Sequence, residues 1–425
     1  MDIFIENLAD AGLSNQEIFS ALEQSIISRK LSKVLLIPPD FTRYHSNAGL
    51  ITNYYYNYCK NNNIEVDILP ALGTHDAMTE EECLKMYGDI PFDVFLYHDW
   101  RNDIEEVGVV PKEYVNEITE GLWNRPVTCE VNKILLDSTY DLILSIGQVV
   151  PHEVIGMSNH SKNILVGCGG KQTINQSHMI GAVYGMERMM GKDHTPVRKV
   201  LDYAMTNFLS KIPLVFVLTV TTALKAEIKT HGLYIGPNRN ALELAIKASQ
   251  KKNIDFLEKP IETCVVYLEP EEFKSTWLGN KSIYRTRMAI KDGGELIVLA
   301  PGVKKFGEDK RIDELIRKYG YCGRLNVLKL FNNNIELQEN MGVAAHLIHS
   351  SSDNRFKITY AVKNITKEEI ESVNFCSADY DEMVKIYNPN RLKYGWNILE
   401  NGKEVFYIPN PALGLWIDKL KFLEK

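Results

Sequence analysis

Short apolar, β-branched runs alternate with helical stretches along the chain, which predicts an α/β protein of two domains. Each domain is expected to hold a mainly parallel sheet covered by helices. The runs are apolar at nearly every position, as in strands buried on both faces. The chain's 425 residues also exceed what a single hydrophobic core usually organises.

Taken in order, Val-Leu-Leu-Ile at 34–37 reads as a strand that ends at Pro38-Pro39. The run at 66–69 ends at a loop carrying Gly73-Thr74-His75, and the run at 94–97 ends at His98-Asp99-Trp100. Residues 141–147 lead to Pro151-His152, and residues 163–167 lead into a glycine pair. A sixth strand, 214–220, follows a long helical stretch. The pattern restarts after Lys251-Lys252-Asn253, which places the domains at 1–254 and 255–425. Residues 263–270 and 295–302 read as further buried strands, while 356–364 and 404–409 alternate more.

The formal net charge of -7, with no basic run, argues against nucleic acid or an anionic membrane surface as a partner. Seven scattered cysteines, with no Cys-x-x-Cys, read as free thiols and not as a metal cage. No apolar run reaches membrane-spanning length, and the first residues lack a positive segment followed by an apolar one. A cytoplasmic soluble protein is the expectation.

Parallel sheets bind ligands at the carboxyl ends of their strands. That is where this chain concentrates its histidines, Asp, Arg and Gly. His75, His98, His152 and His178 lie just after strands or in the glycine-rich segment that follows one. A single histidine there is more often structural than catalytic, but four on one edge weaken that reading. His231, His346 and His349 have no such company and read as structural. In Asp40-Phe41-Thr42-Arg43, a carboxylate and a guanidinium could face one pocket, or simply pair and stiffen the turn.

Residues 147–191 are the richest segment. Gly167, Gly169 and Gly170 follow a run read as a strand and precede a helix, so their backbone could cradle a phosphate. The segment is no Walker A loop, because Leu165 occupies the first glycine position. It also lacks the dinucleotide Gly-x-Gly-x-x-Gly, because Gln172 replaces the last glycine. What remains is His152, Lys162 and His178 around a glycine turn, and spacing alone gives Lys162 no covalent role. No His-Glu-x-x-His is present, so spacing gives zinc little support.

At these positions the chain resembles the nickel-pincer lactate racemase family. The family's Asp-x-Thr-Arg loop matches Asp40, Thr42 and Arg43, and its Gly-x-His matches Gly73 and His75. Its Pro-His followed ten residues later by a lysine matches Pro151, His152 and Lys162. Its second histidine, sixteen beyond that lysine, matches His178. Four motifs in the right order and spacing make the resemblance specific.

The resemblance implies an isomerase, a racemase or epimerase that inverts C2 of a 2-hydroxy acid in a cleft between the two domains. It implies a nickel-pincer nucleotide, a pyridinium-3-thioamide-5-thiocarboxylic acid mononucleotide carrying nickel, joined to Lys162, with His178 as the protein's nickel ligand. His75 and His152 would be the acid/base pair and Arg43 the clamp on the substrate carboxylate. Asp40, Thr42, Gly169 and Gly170 would support the cofactor. Cofactor-making proteins would be transient partners. Two departures bear on the substrate. Asn159 and His160 stand where the lactate enzymes carry Gly-Gly, and Arg285 and Met288 stand where they carry Gln and Lys. Extra polar groups at Asn159 and His160, with Arg285 or Arg287 in place of the lost lysine, suit a longer acid such as an aldonate (gluconate-like). Lactate or another short acid is the alternative. A non-catalytic hydroxy-acid or cofactor-binding protein is the alternative from another class. A nicotinamide dehydrogenase would need the dinucleotide motif that is missing.

Overall fold

The computed structural model describes residues 2–224 and 227–423. The chain divides into two compact units, residues 1–180 with 189–253, and residues 181–188 with 254–425. Up to residue 253 the elements are β1 (Ile3–Glu6), α1 (Asn15–Ile26), β2 (Lys33–Ile37), α2 (Ala48–Asn61), β3 (Glu65–Ile68), α3 (Glu80–Tyr87), β4 (Ile104–Val110), α4 (Lys112–Ile118) and β5 (Val127–Asn132). They continue with β6 (Leu142–Gln148), β7 (Pro151–His152), β8 (Gly156–Met157), α5 (Lys171–Tyr184), α6 (Met186–Met189), α7 (Pro196–Phe208), β9 (Leu214–Leu224), β10 (Glu227–Gly236) and α8 (Arg239–Asn253).

The main sheet of the first unit runs β1-β10-β9-β6-β2-β3. Strands β3, β2, β6 and β9 are parallel, while β10 and β1 join antiparallel at one side. Val34 and Leu36 of β2 pack into one cluster with Ile18 and Leu22 of α1 and Ile51 and Tyr55 of α2. Leu35 and Ile37, on the opposite face, are equally buried. Burial on both faces is why β2 is apolar at successive positions. Helix α1 starts at a capping box in which Ser14 and Glu17 satisfy each other's backbone N–H, and Thr79 and Glu82 do the same for α3.

In the second unit the strands are β11 (Asp255–Leu257), β12 (Ile261–Tyr267), β13 (Ile290–Ala300), β14 (Lys357–Val362), β15 (Cys376–Asp379), β16 (Gly395–Ile398), β17 (Glu404–Ile408) and β18 (Trp416–Asp418). Its large sheet runs β15-β14-β13-β12-β17-β16, parallel except for the antiparallel edge strand β16. Strands β14 and β17 are buried along nearly their whole length, unlike the alternating burial their sequences suggest, because both are interior strands of this sheet. Both units thus have the α/β architecture expected from the sequence.

Two expected strands are absent. Residues 94–97 follow a 3-10 turn at Phe92–Val94 and make only an isolated bridge, Ile68 to Phe95. Residues 163–167 form a π-helical turn, not a strand. A five-residue apolar run fits a buried strand or a buried helical turn equally well by periodicity. Among the described residues, no helix is long and apolar enough to cross a membrane. All seven cysteines are free thiols.

Candidate active site

The carboxyl ends of β2, β3 and β6 lie side by side, and their loops supply the predicted polar residues. After β2, Asp40 caps the 3-10 turn Phe41–Ser46. Its Oδ1 accepts from the Thr42 N–H at 3.2 Å and from the Thr42 hydroxyl. Its Oδ2 accepts from Nδ1 of His75, which the loop after β3 delivers. That loop is pinned by Ala71 N–H to Pro38 C=O and by Gly73 N–H to Gly167 C=O, both 2.8 Å. Gly73 sits at φ +60°, a conformation that costs glycine little. Burial alone would raise the Asp40 carboxyl. Hydrogen bonds from His75 and Thr42, with the nearby Arg43 charge, outweigh it and hold the group below its usual range.

After β6 the chain makes the small β7–β8 hairpin. His152 is buried there, and its Nδ1 accepts the Val154 N–H at 3.1 Å. Burial pushes the imidazole well below its ordinary value, and the charges of Lys162 and Arg43 add to the effect against an opposing Glu153. Beyond β8, Asn159 and His160 both adopt left-handed backbone, φ 64° and 59°, and turn the chain into the π-helical segment with Lys162 at its start. The Lys162 amine is pulled from 10.5 to about 8, first by burial and then by Arg43.

His178 lies on α5. Its Nδ1–H donates to the Ile174 C=O at 2.6 Å, which leaves the Nε2 lone pair uncommitted by that bond. Burial lowers it to about 4, so the ring is neutral at neutral pH. A neutral imidazole with Nδ1 tied to a carbonyl is the usual form of a metal ligand. Asp40, Arg43, His75, His152, Lys162 and His178 thus belong to one electrostatically linked group in the first unit. Among the described residues, no group of three or more His, Cys, Asp or Glu could hold a metal. A metal at His178 would therefore need most of its ligands from a cofactor.

Other expectations need correcting. The phosphate-cradle reading of Gly169 and Gly170 meets a carboxylate already in place. Glu130 accepts from the Gln172 N–H at 2.9 Å at the start of α5. The glycines are spacers, since a Cβ on Gly169 would lie 1.9 Å from the Leu165 carbonyl oxygen and one on Gly170 would lie 2.3 Å from Glu130 Oε2. His98 is an anchor for this turn, bonded to the Gly169 C=O and the Asn132 amide, each at 3.1 Å.

Asn159 and His160, expected at the substrate, are both buried. The Asn159 Oδ1 accepts the His160 N–H at 2.6 Å, and the His160 ring stacks on Phe216 with centroids 3.8 Å apart, its two buried nitrogens without a hydrogen-bond partner. Arg285 belongs to the second unit, on the helix Lys281–Thr286. There Arg287 is buried and committed to Glu187 and to the carbonyls of His349 and Ser351, while Met288 is also buried. Of the histidines read as structural, His346 stacks on Trp277 at 3.9 Å and His231 bonds Thr222.

Sequence reasoning missed Arg198. This buried residue of α7 donates to the carbonyls of Met157 and Asn159 and to the Ser161 hydroxyl, at 2.7 to 3.1 Å. Ser161 in turn donates to Asp202. These bonds brace the turn that carries Lys162. An arginine on a helix gives no sign of this in sequence, because its acceptors come from a distant loop.

Three comparisons say what the chain is similar to. A lactate racemase from Thermoanaerobacterium thermosaccharolyticum is 24% identical over 257 residues, 57% of this chain and 53% of that protein. The match thus spans about half of that relative's length. A solved Thermotoga maritima structure superposes with a TM-score of 0.80 at 24% identity, covering 98% of this chain and all of the other. The lactate racemase apoprotein structure from T. thermosaccharolyticum gives 0.71 at 18%, covering 97% and 94%. Residues 6–190 match the sequence model of the lactate racemase N-terminal domain and contain every first-unit residue assigned to the candidate site. Through that segment, under half of its length, the chain is similar to the lactate racemase N-terminal domain family.

Proposed function

We propose that the protein is a racemase or epimerase that inverts C2 of a small 2-hydroxy acid, using a nickel-pincer nucleotide held at Lys162 and His178. The observation that carries this reading is the pairing of Lys162 and His178. One is an amine lowered to about 8, and the other an imidazole with Nδ1 tied off and Nε2 available. An amine near 8 is partly unprotonated at neutral pH and can be acylated. When bound, the cofactor supplies a reversible hydride acceptor.

The chain's own residues do the rest. Arg43 offers a guanidinium suited to a carboxylate. His75, backed by Asp40, and His152 hold the hydroxyl proton on either side of the substrate. Inversion requires groups on both faces, because the hydroxyl points in different directions in the two isomers. The sequence argument for an aldonate rests largely on Asn159 and His160, which are both buried. The proposal is therefore made for 2-hydroxy acids as a class, with lactate and gluconate as the two substrates to compare.

The test is a panel of D- and L-2-hydroxy acids and aldonates given to cofactor-loaded protein, with optical inversion followed over time. His75→Ala and His152→Ala should each reduce turnover by at least about a hundredfold while retaining nickel. Near wild-type turnover in both variants would remove the two-histidine scheme. No inversion of any acid by loaded protein would favour a binding role.

A further inference from the structure

The two histidines assigned above differ in a way their shared role conceals. At His75, Nδ1 faces the Asp40 carboxylate, an acceptor with no proton to give, so Nδ1 carries the hydrogen. The same carboxylate is fixed by the Thr42 N–H and hydroxyl and is only 9% exposed, which fixes the ring in turn. A neutral His75 then has a bare Nε2. At His152 the order is reversed. Nδ1 accepts the Val154 backbone N–H at 3.1 Å, so Nδ1 is bare and a neutral ring carries its hydrogen on Nε2. The Val154 donor is a backbone N–H, which does not ionise at ordinary pH and can only donate, so this preference is built into the β7–β8 hairpin.

We propose that the resting site holds its two histidines in opposite tautomers, His75 as a hydrogen-bond acceptor through Nε2 and His152 as a donor through Nε2–H. One ring thus accepts from, and the other donates to, a hydroxyl presented to it, and an alcohol can answer either where a carboxylate cannot. The arrangement also divides the work: Asp40 is a positioning residue for His75, and the Val154 N–H plays that part for His152. The assignment of tautomers rests on hydrogen-bond geometry alone. The link to an alcohol substrate rests on the function proposed above.

The test is nitrogen NMR of full-length apoprotein labelled with ring-15N histidine, at mildly alkaline pH where imidazoles are neutral. His75→Gln and His152→Gln identify the two sets of signals. The expected result is a protonated Nδ1 and bare Nε2 at His75, with the reverse at His152. Asp40→Asn should mix the tautomers at His75 and leave His152 unchanged, and in loaded enzyme it should slow turnover by roughly 10² to 10⁴. The same tautomer at both rings in the wild-type protein would overturn the proposal, whatever the variants do. Opposite tautomers in a protein that inverts no 2-hydroxy acid would leave this inference standing and remove the proposed function.

Discussion

Lys162 shows how burial converts an ordinary side chain into a reagent. Its amine is lowered from 10.5 to about 8 chiefly because burial penalises the charged form, with Arg43 adding to it. In apoprotein, Lys162 should therefore react with an amine-selective reagent ahead of the exposed lysines, with a midpoint near pH 8, as followed by peptide mass spectrometry. Arg43→Leu should move that midpoint upward. An unchanged midpoint would show that burial alone sets it. The sign for stability follows from the same shift. Between about 8 and 10.5 the unfolded chain holds the proton that the folded one has lost, so this group's contribution grows as pH rises through that window. None of this was legible in the residue's position, just before the apolar run 163–167. Only the spacing to His152 and His178, shared with the racemases, singled it out.

The turns around Lys162 depend on close backbone approach. Gly169→Ala would place a Cβ 1.9 Å from the Leu165 carbonyl oxygen, which can yield only by moving the π-helical turn. We expect a loss of about 1–3 kcal/mol in thermal or denaturant unfolding, together with reduced cofactor loading. Arg198→Ala should cost about 1–3 kcal/mol, since it removes buried hydrogen bonds to the Met157 and Asn159 carbonyls and the Ser161 hydroxyl, of which the last two keep the Lys162 N–H and Asp202 as partners. A smaller cost would mean that water replaces the guanidinium. The long strands β2, β6, β9, β12 and β13 could be read from their apolar runs because each is buried on both faces. The segment 163–167 could not, because a short apolar run carries no period and the deciding features are two left-handed residues, Asn159 and His160, just before it. The glycines at 169 and 170 read as a phosphate loop for the opposite reason. Their sequence context fits an anion site, and the anion proved to be Glu130 of the chain itself.

Across the whole molecule, several histidines are buried as neutral rings. Burial lowers His178 from 6.5 to about 4 and His346 to about 3, and it lowers His152 as well. Between about 6.5 and 4 the unfolded chain binds protons that the folded protein refuses, so stability must fall as pH drops through that range. The apoprotein should unfold at a lower temperature at pH 5 than at pH 7. His346→Phe should lessen the difference, since a phenyl ring has no proton to take, and an equal pH dependence in that variant would assign the effect elsewhere. The cofactor proposed at Lys162 and His178 is open to intact mass and metal analysis of the protein co-produced with cofactor-making enzymes. We expect a mass gain that maps to Lys162 and is absent in Lys162→Ala, with about one nickel per chain that His178→Ala loses. An unmodified mass without nickel, in cells that load a known racemase, would contradict it.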